Sequence, residues 1–183
     1  MRIIAGERRG LILKTCDFEG FRPTLDRVKE SLFGTLTPHL EGARVLDLFA
    51  GSGALGLEAV SRGAASALLI DNDPQAARVI ERNLAAANFG ERCRFVRADF
   101  DVVGKKVARG ERFDLVFADP PYFSGLAQRV IDHVYDYSLL TPDGLLCVEL
   151  ARKEAAACAC TGFEILREKK YGSTLIWIMR RNQ

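Results

Sequence analysis

Val45-Leu46-Asp47-Leu48-Phe49-Ala50-Gly51-Ser52-Gly53-Ala54-Leu55-Gly56 decides the fold of this chain. It opens on apolar residues of the kind that form a strand buried on both faces. Glycines at 51, 53 and 56 follow, and a helical pattern continues to about Arg62. Strand, glycine loop and helix in this order match the G-x-G-x-x-G arrangement, whose small residues permit a tight turn and close approach of a ligand to the backbone. Asp71 lies 20 residues after Gly51, at the end of a second apolar run, 67–70. An acid there can accept hydrogen bonds from ribose hydroxyls. The stretch therefore predicts an adenosine-containing ligand and leaves open which one.

The same alternation continues through 44–180. Strands are expected at 44–49, 67–70, 93–97, 113–118 and 144–150. Helices are expected after the glycine loop, at 74–88, at about 100–108 and at about 125–137. Regular alternation of this kind predicts an α/β fold, a parallel sheet with helices on both faces. Two last strand-like runs, 163–169 and 174–180, flank Tyr171-Gly172-Ser173. They read as a hairpin, so one of them must oppose the other strands. Residues 151–160, rich in Ala and Cys, read as a short helix or loop.

The N-terminal residues differ. Apolar runs at 3–4 and 11–13 bracket a basic glycine loop, 6–10, which predicts a β-hairpin with Arg8 and Arg9 at its tip. Pro23 then keeps Arg22 extended, Thr24 suits a helix N-cap, and Asp26 complements the first turn. The helix continues through Val28, Leu32, Phe33 and Leu36 and ends near Pro38. Arg22, Thr24, Arg27 and Lys29 gather at its start, as candidates to meet a polyanion.

The strand at 113–118 ends in Asp119-Pro120-Pro121-Tyr122. Neither proline can donate to a sheet ladder, and each restricts the residue before it. An acid, a fixed carbonyl and an aromatic ring are thus gathered at the carboxyl end of a buried strand, where open α/β sheets bind ligands. A plain strand-ending turn is the simpler alternative. Asp119 and the Pro120 carbonyl could both accept hydrogen bonds from an amino group on a flat ring, drawing its lone pair out of conjugation. Tyr122 could stack on a base taken out of its helix.

Asp47 and this corner discriminate among adenosine ligands. A buried acid four residues before Gly51 suits a ligand with a cationic amino-acid end better than a pyrophosphate, because carboxylate and phosphate repel. S-adenosylmethionine (SAM) fits. Its ribose would reach Asp71 and Asn72, its adenine the Asp99-Phe100 turn, and its ammonium group the side around Asp47. Phe49, Gly51 and Gly53 would line the loop around it.

Composition agrees with an enzyme of this kind. The chain has 183 residues, 48% of them apolar, and one composition throughout. That predicts a single domain, with 1–22 as a hairpin extension and 23–183 as the SAM-binding core. No apolar run approaches a membrane span, and the charged N-terminal residues do not read as a signal peptide, so a cytoplasmic protein is expected. Five irregularly spaced cysteines and two distant histidines predict reduced thiols and no metal site. Residues 1–30 carry seven basic and five acidic side chains, and 165–183 carry five basic and one acidic, so both ends are candidates to meet a polyanion.

Several stretches together narrow the reading: Met1-Arg-Ile-Ile-Ala-Gly6, Arg22-Pro-Thr-Leu-Asp-Arg-Val-Lys-Glu30, 45–59, Asp119-Pro-Pro-Tyr122 and Lys170-Tyr-Gly-Ser-Thr174. From residue 1 to about 180 the chain resembles the RsmD family of bacterial 16S ribosomal RNA guanine-N2 methyltransferases. The resemblance implies a class I SAM-dependent methyltransferase (Rossmann-like) fold, with a seven-stranded, mostly parallel sheet ending in an antiparallel hairpin. It implies guanine 966 of 16S RNA as the target, methylated in the small subunit or its assembly intermediate, and SAM contacts at Asp47, Gly51, Gly53, Asp71 and Asp99. The N-terminal hairpin and 22–29 would approach RNA, and the protein would act as a monomer. Residues 151–160 depart from the family pattern in being shorter and richer in Ala and Cys. Three rivals remain at this point. An adenine-N6 methyltransferase on DNA or RNA would use the same corner. An NAD-binding oxidoreductase would have no use for Asp119–Tyr122. A non-catalytic RNA-binding assembly factor would transfer no methyl group.

Overall fold

Seven strands lie in one sheet, in the order β3-β2-β1-β4-β5-β7-β6, in this computed structural model, which describes residues 1–15, 26–107, 109–160 and 162–182. The strands are β1 Arg44–Leu48, β2 Ser66–Asp71, β3 Cys93–Arg97, β4 Phe113–Ala118, β5 Leu140–Ala151, β6 Phe163–Tyr171 and β7 Thr174–Arg181. The helices are α1 Asp26–Leu36, α2 Ala54–Ser61, α3 Pro74–Ala87 and α4 Leu126–Asp136. β1 to β5 pair in parallel, and β7 alone runs antiparallel to both of its neighbours. The chain order reverses at β1 and β4, which places the carboxyl ends of these two central strands at the switch point where such sheets bind ligands.

Strand alternation divides the core in two. Val45, Leu115, Phe117, Leu145 and Cys147 pack with α1, α2 and α3 on one face. Leu46, Leu48, Val116, Ala118, Leu146 and Val148 pack with α4 on the other. Asp47 and Glu149 stand at odd positions, on the α1–α3 face, and Asp119 continues that alternation just beyond β4.

Two expected elements come out differently. Residues 100–107, the described part of the helix expected at about 100–108, do not form an α-helix. Phe100–Val102 is a 3-10 turn, and Val103–Val107 is a wider π-type turn. Gly104 lies against the Tyr137 ring so closely that a Cβ would come 2.3 Å from it, and its N–H donates to His133 Nε2. These contacts hold the wide turn while Phe100 and Val103 enter the core. β5 starts at Leu140, earlier than expected, because the pairing shifts register between Phe113 and Leu115 and accommodates the Pro142-Asp143-Gly144 stretch. Of the stretch 151–160, Ala151 ends β5 and the rest holds only a 3-10 turn, Ala155–Ala157.

The N-terminal segment turns back as expected, through one bridge, Arg2 to Ile12, and backbone bonds between Ile3 and Leu11. It is clamped to α2. Glu58 accepts from the N–H groups of Ile4 (2.8 Å) and Ala5 (3.1 Å), from Arg62 Nε (2.7 Å) and from Lys29 Nζ (3.1 Å). Gly6, at φ 85°, lies so close to the end of α2 that a Cβ would stand 1.7 Å from the Ser61 carbonyl oxygen. The four described cysteines are free thiols, and burial pushes Cys93 and Cys147 up to about 12. Among the described residues, no helix is long and apolar enough to cross a membrane.

Candidate functional site

The glycine loop leaves β1 at Phe49, a non-glycine residue at φ 61°, and turns through Gly51 (56°) and Gly53 (77°). Three turning positions at alternate residues bring the chain sharply from strand into helix, and strained backbone of this sort collects at binding sites. Two carboxylates hold the turn. Asp71 accepts from Gly51 N–H at 2.8 Å and from Asp73 N–H at 2.9 Å. Asp47, 1% exposed, accepts from Gly56 N–H at 2.9 Å. In a dinucleotide-binding loop these N–H groups would face a pyrophosphate. Here they are committed to acids.

Burial pushes Asp47 up to about 7, offset in part by the Gly56 N–H and reinforced by the nearby Asp71. Burial also raises Asp71, against the pull of its backbone donors. Asp47 thus lies beneath the loop, with one carboxylate oxygen committed to the Gly56 N–H. Asp71, Asn72 and Asp99 remain at the surface of the cleft, with Asn72 Nδ2 donating to Asp99 Oδ2 at 3.2 Å. Phe49 and Phe100 lie with ring centroids 5.2 Å apart. This set suits SAM. The Asp71 and Asp99 oxygens retain lone pairs for ribose hydroxyls and an adenine amino group, two rings offer an apolar wall, and the loop presents acids where a sulfonium and an ammonium group need negative charge.

The second half of the site is the corner after β4. Asp119 faces Glu149 on the neighbouring strand β5, over an opening walled by Leu32, Leu55, Phe117 and Ile176. Burial raises Asp119 well above the usual carboxylate range, and the Glu149 and Asp47 charges add to it. Tyr122 donates to Glu149 Oε1 at 2.7 Å, and its oxygen lies 2.8 Å from the Thr174 hydroxyl. Tyr122 has one proton to give, so with that proton on Glu149 the Thr174 hydroxyl is the donor in the second bond. These bonds fix the Tyr122 ring against β5 and β7. Burial, then Glu149, raises the Tyr122 phenol, and burial raises the Glu149 carboxyl against the opposing pull of the Tyr122 hydroxyl.

Sequence reading places Asp119, Pro120, Pro121 and Tyr122 in one corner, and the structure brings them to the same end of the sheet as the glycine loop. It does not anticipate Glu149 or Thr174. A lone acid at the carboxyl end of an otherwise apolar run, as with Asp47, is the signal that marks Glu149. Phe123 is also missed. It is 70% exposed beside Tyr122.

The candidate RNA contacts divide. Arg22 and Thr24 lie outside the described residues. Lys29 is fully buried, pairs with Glu58 and donates to the Arg2 carbonyl, so it cannot reach RNA and instead ties α1 to the N-terminal segment. Arg8 is partly committed. Its Nε donates to the Ala87 carbonyl at 2.6 Å, at the C-terminus of α3, and its guanidinium lies over Phe89. Arg9 and Arg27 are exposed. At the other end of the chain, Lys169 bonds Ser31, Lys170 pairs with Glu168, Arg180 pairs with Glu164, and Arg181 bonds Ser138. The basic C-terminal hairpin is thus largely engaged within the protein.

Sheet order, acid-held glycine loop and Asp-Pro-Pro-Tyr corner define a class I SAM-dependent methyltransferase. Comparison with known proteins narrows this. The family described as conserved hypothetical protein 95 matches residues 1–180. The Escherichia coli ribosomal RNA small subunit methyltransferase D is 37% identical over 99% of this chain and 90% of its own. Its Haemophilus influenzae counterpart is 36% identical over 94% and 89%. A solved Escherichia coli structure superposes with a TM-score of 0.88 at 37% identity, covering 99% of this chain and 97% of that one. The chain belongs to this family, that of ribosomal RNA small subunit methyltransferase D.

Proposed function

We propose that the protein transfers a methyl group from SAM to the exocyclic N2 of a guanine in 16S ribosomal RNA, at the position equivalent to 966. The observation that carries this reading is the placement of Asp119 beside the acid-held loop, at the end of β4, in a chain of this family. The substrate is the small ribosomal subunit or its assembly intermediate, met in the cytoplasm by a monomer of one catalytic domain.

SAM supplies a methyl group on a positively charged sulfur. The protein's residues do the remaining work by position and electrostatics. The Asp119 carboxylate and the Pro120 carbonyl accept the two N–H bonds of the target amino group and turn its lone pair toward the methyl. Tyr122, held by Glu149 and Thr174, sets the plane of the base. As the new N–C bond forms, the methyl's bond to sulfur would break, leaving a neutral thioether, and the nitrogen sheds one proton. Asp119 is the nearest acceptor, and the causes that raise its pKa make it a stronger base than an exposed aspartate. Arg9 and Arg27 offer exposed charge for the RNA backbone.

Asp119→Ala is expected to abolish transfer of labelled methyl from SAM to small subunits while changing SAM affinity by no more than a few-fold. Full transfer by that variant would remove Asp119 from the chemistry.

A further inference from the structure

Phe123 is the least explained residue of the corner. It follows Tyr122 directly, its side chain is 70% exposed, and its φ is 57°. A bulky residue in the left-handed region is an outlier that its surroundings must enforce. They do so here. The Ser124 hydroxyl bonds back to the Pro121 carbonyl and accepts from Leu126 N–H at 3.3 Å, and Gly125, at φ 70°, starts α4. An apolar ring is thus held out in water by a turn closed on both sides.

Its ring meets that of Tyr122 edge-on, with centroids 6.4 Å apart and planes at 87°. The two rings cannot stack on one flat base. The plane of the methylated base is fixed by Tyr122 and by the two acceptors at Asp119 and Pro120. A base lying on Phe123 would stand nearly perpendicular to it, so it must belong to another nucleotide.

We propose that Phe123 is the stacking platform of a second subsite, which takes an unpaired nucleobase flanking the methylated one. The inference rests on the reading of this site as an RNA methyltransferase. Bases stack on aromatic side chains with little regard to sequence, so the subsite reads strand state and not base identity. The protein would therefore prefer RNA whose target and neighbour are both free of pairing.

Binding of single-stranded RNA oligonucleotides tests this, with a guanine flanked either by normal bases or by an abasic nucleotide on one side. Phe123→Ala is expected to lose roughly 5- to 150-fold in affinity for the normal RNA. Phe123→Trp is expected to retain it, and SAM affinity should not change in either variant. An abasic flank should weaken the wild type and leave Phe123→Ala nearly indifferent. If the abasic flank weakens both proteins equally, or Phe123→Ala binds as the wild type does, the subsite is overturned. Methyl transfer by the wild type to small-subunit RNA is measured in parallel and reports on the enzyme reading separately. A wild type that transfers no methyl, but loses RNA affinity with Phe123→Ala, would overturn that reading and leave the subsite standing.

Discussion

Glu149 stands one strand away from Asp119 and acts on the Asp119–Tyr122 corner in two ways. It receives the Tyr122 hydroxyl, and its charge is the second cause, after burial, of the raised Asp119 pKa. In the proposed function Asp119 must be a carboxylate to take the proton that the amino group sheds. Transfer should therefore rise with pH through a value above the ordinary carboxylate range. Glu149→Gln keeps an oxygen for Tyr122 but removes the charge, so Asp119 ionises at lower pH. The acid limb of the pH–rate profile, measured in single turnovers, is expected to move to lower pH in this variant. A limb that stays in place would show that Glu149 has no electrostatic hold on Asp119. The sequence displayed Asp119 plainly, because two prolines and an aromatic beside an acid are rare at a strand end. Glu149 was hidden because its meaning depends on β5 lying beside β4, which is a matter of strand order and not of local pattern.

At the level of elements, the N-terminal segment depends on one buried carboxylate. Glu58 on α2 serves two backbone N–H groups of that segment and the cations of Lys29 and Arg62. Removing one partner of a buried pair strands the other without water. Glu58→Ala is expected to cost about 3–5 kcal/mol in denaturant unfolding. It should also speed hydrogen exchange at the Ile4 and Ala5 amides, which lose their acceptor. A loss below about 1 kcal/mol would mean that the segment is held by its apolar contacts alone. This cluster explains why charge counting misassigned Lys29. A lysine near a helix start looks like a solvated cation until a glutamate 29 residues later is folded onto it. The hairpin at 163–181 and the helices α2, α3 and α4 were legible because each carries a strong period and clear end signals. Residues 100–107 were not. Their apolar positions fit a helix as well as a wide turn, and the choice is made by Tyr137 and His133 on another element.

Over the whole molecule, the switch in strand order between β1 and β4 brings the glycine loop and the Asp119–Tyr122 corner to one end of one sheet. Neither device specifies the reaction alone. A glycine loop would serve many nucleotides, and Asp-Pro-Pro-Tyr would serve adenine as well as guanine. Guanine enters through kinship with ribosomal RNA small subunit methyltransferase D, and nothing in the corner itself excludes an adenine amino group. The decisive measurement is therefore transfer of labelled methyl from SAM to small subunits from cells lacking the enzyme, followed by mapping of the modified nucleotide. The proposed function predicts a single N2-methylguanine at the position equivalent to 966 of 16S RNA, absent when Asp119→Ala replaces the wild type. Label on an adenine N6, or no label with fully active SAM binding, would contradict it.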